Sequence, residues 1–268
     1  MSSGFRRISL TGTLALGAVM LGGGAALAQP APVCVPAPAG MVGWWPGDGN
    51  TSDLIGGNPG TWNGTTAYTT GEVDEAFSLN GASYVDVPSS AALSPTAEIT
   101  IDAWIAASDG RNARIVDKIT AGGTNGYLLD INNGYLRFIV GSTALTGGTS
   151  IPTSFARNHV VGTYDGATMR VYLDGALDGS LARSGAIPTN VLPVRIGADS
   201  TGVANQFVGW IDEVEIFNRA LSLAEIQGIY NAGSAGKCKI QEIPALSPVG
   251  LAVLGVLIAA AAALLLGR

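Results

Sequence analysis

The sequence predicts an all-β domain folded as a two-sheet sandwich or jelly roll. Two observations predict it. Short apolar or alternating runs recur through the middle of the chain, separated by Gly, Asn and Asp turns. Only one stretch carries a helix start signal. Composition agrees: 38 glycines and only 13% charged residues, in a chain of 268, suit a loop-rich β domain. A barrel fits the same pattern, and spacing alone does not separate the two.

The strands are expected, in order, at Val42–Trp45, Ala76–Leu79, Tyr84–Val87, Ile99–Ala106, Ile115–Lys118, Tyr127–Ile131, Leu136–Val140, His159–Tyr164, Met169–Leu173, Ala176–Leu181, Val194–Ile196 and Trp210–Phe217. Asn133-Gly134, Asp165-Gly166 and Asp174-Gly175 supply the residues that tolerate positive φ in tight hairpins. The single helix is expected over Leu223–Tyr230, with Ser222 as N-cap and Glu225 closing a capping box.

The ends carry addresses. Residues 1–28 form a secretory signal: Arg6 and Arg7 precede an apolar stretch, and Ala26-Leu27-Ala28 offers a cleavage site before Gln29. Residues 29–40 are a Pro/Ala-rich spacer, and one domain runs from 41 to 238. At the other end, the apolar run Val249–Leu266 is long enough for a membrane helix of about 27 Å. It follows Ile243-Pro244-Ala245-Leu246-Ser247 and precedes a terminal Arg268. Residues 243–268 resemble bacterial IPTL-type C-terminal sorting signals, with Ala245 where that family usually has Thr and one Arg in place of a basic cluster. The resemblance implies an exosortase-like protease as processing partner. A plain membrane anchor is the alternative. Both place the domain outside the cytoplasmic membrane, at the bacterial membrane, periplasm or cell surface.

Charge narrows the partners. Lys and Arg number 14 against 20 Asp and Glu, and Arg6 and Arg7 belong to the leader. The exported part is thus more acidic than the formal −6, with no basic patch dense enough for nucleic acid. The only cysteines, Cys34 and Cys238, flank the domain, and export favours their pairing.

A family resemblance rests on an ordered set of motifs. These are Gly43-Trp-Trp-Pro-Gly-Asp48, Asn63-Gly64-Thr65, Ala76-Phe-Ser-Leu-Asn-Gly81 with Tyr84-Val85, and Thr100-Ile-Asp-Ala-Trp104. His159-Val-Val-Gly-Thr-Tyr-Asp-Gly166, Val171-Tyr-Leu-Asp-Gly175 and Arg195-Ile-Gly197 follow. Gly209-Trp-Ile-Asp-Glu-Val-Glu-Ile-Phe-Asn-Arg-Ala-Leu-Ser222, Glu225-Ile226 and Ile229-Tyr230 complete the set. From about Met41 to Cys238 the chain resembles laminin G-like modules of the concanavalin A-like lectin/glucanase superfamily. The resemblance implies an antiparallel jelly-roll sandwich, and leaves lectins, adhesion modules, hydrolases and spacers open as functions.

Few residues suggest chemistry. His159, the only histidine, lies in an expected strand, no Ser nucleophile elbow accompanies it, and no catalytic residue is assigned. Asp212-Glu213-Val214-Glu215 is the densest acidic strand. Strict alternation puts Glu213 and Glu215 on one face, as solvated side chains, and Asp212 with Val214 and Ile216 on the other. The resembled glucanases carry Glu-x-Asp-x-(x)-Glu, and the order here differs. Asp212, expected to be partly buried, needs hydrogen bonds, a partner charge or a metal. The loop bearing Asp48, Asn50, Asp53 and Asn58 is rich in oxygens, and related modules often hold structural calcium near their terminal strands, so these five residues form a candidate Ca2+ site; Asx turns are the alternative. Among the aromatics, Trp62 and Tyr135 lie in or near turns and are the candidate sugar-stacking pair, whereas Trp44-Trp45 can turn only one ring inward.

The expectation is a non-catalytic binding module for glycan or a surface protein. A polysaccharide hydrolase and a structural surface or matrix component are the alternatives.

Overall fold

The computed structural model describes residues 34–120, 122–202 and 204–239. The leader, the first five residues of the spacer (29–33) and the sorting motif with its apolar run lie outside the described residues. Among those described, no helix is long and apolar enough to cross a membrane.

Fifteen strands form among the described residues: β1 Met41–Trp45, β2 Thr61–Asn63, β3 Tyr68–Thr70, β4 Glu75–Asn80, β5 Tyr84–Val87, β6 Ile99–Ala107, β7 Ala113–Ile119 and β8 Gly126–Asn132. They continue as β9 Tyr135–Val140, β10 Thr143–Ser150, β11 Asn158–Tyr164, β12 Thr168–Leu173, β13 Ala176–Ala182, β14 Val194–Ile196 and β15 Val208–Phe217. They build two antiparallel sheets. One runs β13-β12-β11-β6-β15-β4-β3, with β1 also paired to β15; the other runs β10-β9-β8-β7-β14-β5-β2. Two separate sheets make this a sandwich and not a barrel.

The core lies between the sheets, where β6 contributes Ile99, Ile101, Ala103 and Ile105, and β8 and β9 contribute Leu129, Ile131, Leu136 and Phe138. The sheets close tightly at Gly162 on β11. A Cβ there would stand 2.6 Å from the Phe138 ring of the opposite sheet.

Turns form as their residues demand. Asn133 and Gly134 have φ of 51° and 83°, and Asp174 and Gly175 have 50° and 72°, which the tight β8–β9 and β12–β13 hairpins need. Helix α1, Leu223–Ala232, carries the expected capping box between Ser222 and Glu225. Strands β2, β3 and β10 were not expected; β2 and β3 are three residues long, and β10 is the Gly-containing TALTGGTS.

Cys34 and Cys238 are bonded, with Cα atoms 4.9 Å apart across a separation of 204 residues. Val35 beside them bridges to Lys237, through Val35 N–H to Gly236 O at 3.0 Å and Cys238 N–H to Val35 O at 2.8 Å.

Candidate functional site

The two sheets differ in what covers their outer faces. The eight-stranded sheet is covered over β6, β11, β12 and β15, whereas its edge strand β13 is largely exposed. Val161 and Phe217 of that sheet pack with Ile226 and Ile229 of α1. Trp104 and Trp210 meet Tyr230 from the same helix. Further along, the segment after α1 lays Lys237 over β15.

This covered face holds the acidic strand, and there strict alternation fails. The β15–β6 register shifts between Asp212 and Glu215, and Glu213 takes φ 52°. The extra residue is a bulge, which re-aims the side chains beside it. Ile211, Val214 and Ile216 pack in the core between the sheets. Asp212, Glu213 and Glu215 lie away from it, so Asp212 does not share a face with Val214 as alternation predicts. Nor are the two glutamates solvated: both are 0% exposed. The Lys237 ammonium lies 3.3 Å from Glu213 and also pairs with Glu215, and Trp44 Nε1–H donates to Glu213 at 3.0 Å. Burial raises Glu215 well above the usual carboxylate range, against the pull of Lys237. Burial also opposes the charge on Lys237, but Glu215, Glu213 and Asp102 override it and hold the lysine protonated. Glycoside hydrolysis needs two carboxylates facing a scissile bond; these two face a lysine.

His159 lies on the same face. Its Nε2 is 3.1 Å from both oxygens of Asp102, and both residues are 0% exposed. Its ring sits 5.0 Å from that of Trp104. This is framework geometry with no access from solvent.

Most of the side-chain oxygens of the five candidate calcium residues are spent on the protein. Asp53 Oδ1 accepts from the amides of Trp44 (2.9 Å), Ile55 and Gly56 (3.0 Å each), and its Oδ2 accepts from Asn58 N and Nδ2 at 3.0 Å. Asn50 closes its own turn onto Ser52 N and Asp48 O. Asp48 takes the amide of Glu75 and the ammonium of Lys239. Asp212 Oδ2 accepts from Glu72 N at 2.8 Å and Val73 N at 3.0 Å, and only its buried Oδ1 has no partner. Calcium needs about six to eight available oxygens. A set bonded to amides and a lysine does not fit it, and among the described residues no group of three or more His, Cys, Asp or Glu is placed to hold a metal.

Of the two candidate sugar-stacking aromatics, Trp62 is turned inward. It packs against the core, lies edge-on to Phe77 with ring centroids 5.8 Å apart, and donates to Tyr68 Oη at 2.8 Å. Tyr135 is 39% exposed at the start of β9. The two stand on strands separated by β8, β7, β14 and β5, so one sugar cannot touch both. Trp44 and Trp45 divide as expected, Trp45 into the core and Trp44 toward Glu213.

The outer face of the seven-stranded sheet is the open one, and Tyr135 belongs to it. Leu136, Phe138 and Val140 point into the core, so Tyr135, Arg137 and Ile139 point out. Across the β8–β9 ladder Arg137 lies opposite Asp130 and Ile139 opposite Leu128; across β7–β8 Asp130 lies opposite Arg114 and Leu128 opposite Asp117. Arg137 grips Asp130 with two bonds, Nε to Oδ1 at 3.0 Å and Nη2 to Oδ2 at 2.6 Å. Arg114 also binds Asp130, and its Nε is 3.1 Å from Asp117. Burial raises Asp117 to about 6, against a hydrogen bond from Ser200 and the charge of Arg114. Arg195 fixes the neighbouring loop by donating to Asp199 O at 2.7 Å and to Asp86 at 3.0 Å.

A cavity of about 380 Å³ opens on this face, lined by Arg114, Arg137, Asp199 and Thr201 with Ile119 and Ile139. A larger one of about 470 Å³ borders the Cys34–Cys238 bond, lined by Val73, Asp74, Lys237 and Lys239. The arginine–aspartate lattice is absent from the sequence expectations. Its signal was present: an Asn133-Gly134 hairpin pairs residue 130 with 137, and apolar Leu136 and Phe138 turn 137 outward.

Comparison with known proteins bears on this geometry. Residues 79–227 match the family model described as the concanavalin A-like lectin/glucanases superfamily. No curated protein matches the chain. Among solved structures, domain 4 of AbnA, an extracellular arabinanase from Geobacillus stearothermophilus solved with arabinotriose, is similar with a TM-score of 0.57 at 22% identity, over 70% of this chain and 96% of that one. The binding domain of paraclostridial mosquitocidal protein 1 gives 0.59 at 18% identity, over 72% of this chain and 52% of that one. The binding domain of botulinum neurotoxin DC, solved with SialylT, gives 0.54 at 15%, again over 72% and 52%. The chain thus spans about half of the toxin domains. At these identities the likenesses show the fold.

Proposed function

Because the chain belongs to the concanavalin A-like lectin/glucanases superfamily, we propose that it is a non-catalytic carbohydrate-binding module, exported and held at the cell surface or outer side of the membrane, which grips sugar on the open face of its seven-stranded sheet. One observation carries the reading. The outer face of the seven-stranded sheet bears a cavity that sets the polar side chains of Arg114, Arg137, Asp199 and Thr201 beside Ile139. Sugars ask for that combination: an apolar platform for ring C–H groups and fixed donors and acceptors for hydroxyls. Tyr135 extends it along β9, where Tyr135 to Ile139 spans about 13 Å at 3.3 Å per residue.

Two similar domains were solved with arabinotriose and SialylT, which supports a saccharide as the partner class. Export rests on the leader at residues 1–28, and the closed Cys34–Cys238 bond suits an oxidising compartment. Attachment rests on residues 243–268, as a membrane helix or as a sorting signal cut by an exosortase-like protease. The test is a glycan array probed with the full-length protein. Binding to defined glycans, lost in Tyr135→Ala, is expected. A folded sample that binds no glycan overturns the reading and leaves a surface protein or coat component as partner.

A further inference from the structure

The cavity on the seven-stranded sheet contains an arginine with donors to spare. A guanidinium carries five N–H groups in a planar fork. Arg137 commits two of them to Asp130, Nε to Oδ1 at 3.0 Å and Nη2 to Oδ2 at 2.6 Å. That grip uses the side edge of the group. Nη1 has no partner among the described residues, so one Nη1–H and the second Nη2–H remain as a parallel pair at the end of the fork. The Asp130 side chain is 0% exposed and that of Arg137 is 22% exposed. The carboxylate thus fixes the guanidinium plane from beneath, and the end pair is left to the cavity that Arg137 lines. Across the β9–β10 ladder the residue opposite Arg137 is Thr146, which is uncharged and exposed.

The charges of this face are graded. The strands and the loop at Asp199 bring together three guanidiniums, Arg114, Arg137 and Arg195, and four carboxylates, Asp86, Asp117, Asp130 and Asp199. The total draws in no anion, so the distribution decides. Arg137 faces one carboxylate, Asp130, and shares it with Arg114. The other three stand nearer to Arg114 and Arg195: Asp117 and Asp199 by Arg114, Asp86 by Arg195. Arg195 is further spent on the carbonyls of Asp199 and Gly202. The Arg137 end is therefore the most positive part of the cavity, and the Asp199 end the most negative. Asp199 Oδ1 takes the hydroxyl of Thr201 at 3.2 Å. Its Oδ2 lies 3.8 Å from Arg114, too far for a hydrogen bond, and can still accept from a ligand hydroxyl.

A carboxylate meets a pair of parallel N–H groups with two charge-assisted bonds, which a single hydroxyl cannot match. A hydroxyl suits the Asp199 end, where it donates. Resting on the carbohydrate-binding reading above, we infer that this cavity takes an acidic sugar, with its carboxylate on the end pair of Arg137 and its hydroxyls toward Asp199 and Thr201. Ile139, two residues along β9 from Arg137, borders the ring.

The test is calorimetry on the full-length protein with two pairs of ligands: oligo-uronates against their methyl esters, and sialylated oligosaccharides against the same chains without the sialyl residue. In at least one pair the acid is expected to bind at least about tenfold tighter, a difference of about 1.4 kcal/mol; that pair identifies the source of the carboxylate. Arg137→Lys keeps the charge and loses the fork. It is expected to shrink the preference several-fold while binding of the neutral chains persists. If that variant does not fold, the ligand pairs on the native protein decide alone. Neutral chains that bind as tightly as the acids in both pairs, or a preference unchanged in Arg137→Lys, overturn the inference and leave a carbohydrate-binding protein. Failure of every ligand on folded protein overturns the carbohydrate reading itself.

Discussion

Lys237 and Glu213 form an ion pair of 3.3 Å in which neither side chain has meaningful contact with water. Lys237 is the neighbour of Cys238, so the covalent clip between the chain ends also seats the ammonium shared by Glu213 and Glu215, with Lys239 3.7 Å from Glu213 beside it. Removing one partner of a buried pair strands the other charge. Lys237→Met is therefore expected to lower stability by roughly 3–5 kcal/mol, read by urea denaturation. A loss below about 1 kcal/mol would mean that the glutamates are already neutral.

The disulfide and this lysine act together. In the chain-entropy model a loop of this length contributes about 5 kcal/mol, and less where the open chain keeps structure. The pair Cys34→Ser and Cys238→Ser is expected to cost roughly 3–5 kcal/mol. Combined with Lys237→Met the losses should fall short of additive, because loosening residues 237–239 already unseats the lysine. Strict additivity in denaturation midpoints would separate the two devices.

Asp212 gives a pH signature. Burial first, then the charges of Glu213 and Asp48, raise its carboxyl to about 8, against the amides of Val73 and Glu72. The unfolded carboxyl titrates near 3.8. The folded state thus holds a proton that the unfolded chain releases. Its contribution is complete below the unfolded pKa and is lost as pH rises toward 8. Asp212→Asn keeps the oxygen that accepts from Glu72 and Val73, and Glu213, Asp48 and Lys239 stay in place. The variant is expected to match the native protein near pH 5 and to exceed it by on the order of 2 kcal/mol near pH 8. Parallel stability profiles would show that Asp212 is ionised in the fold.

Calcium has little to bind. Asp53 already accepts five hydrogen bonds and Asp48 holds Lys239. Melting temperature is expected to be the same in calcium and in chelator. A rise of several degrees in calcium would show that the ion displaces these donors.

Much of this was legible in the sequence. Apolar runs and Asn-Gly or Asp-Gly turns located most strands, Ser222 and Glu225 announced the helix, and the cysteine pair followed from export. Three things were not. The short edge strands β2 and β3 carry too few residues for a period. The bulge at Glu213 arises from pairing with β6, and it reverses the alternation that placed Asp212 beside Val214. Lys237 as the counter-charge of Glu213 depends on a contact between residues distant in sequence, whereas the amides that saturate Asp53 are local and follow the Asx-turn alternative. Tyr135 could be read as exposed because it follows a tight turn, whereas Trp62 lies at a sheet edge whose inward side only the fold reveals.

The central claim is that sugar binds the outer face of the seven-stranded sheet. Chemical-shift mapping of backbone amides during titration with a bound oligosaccharide tests it most directly. The account predicts shifts at Tyr135–Ile139 and Asp199–Thr201, with residues 53–58 and Trp62 unmoved. Shifts confined to the 48–58 loop or to the Trp62 edge would contradict it.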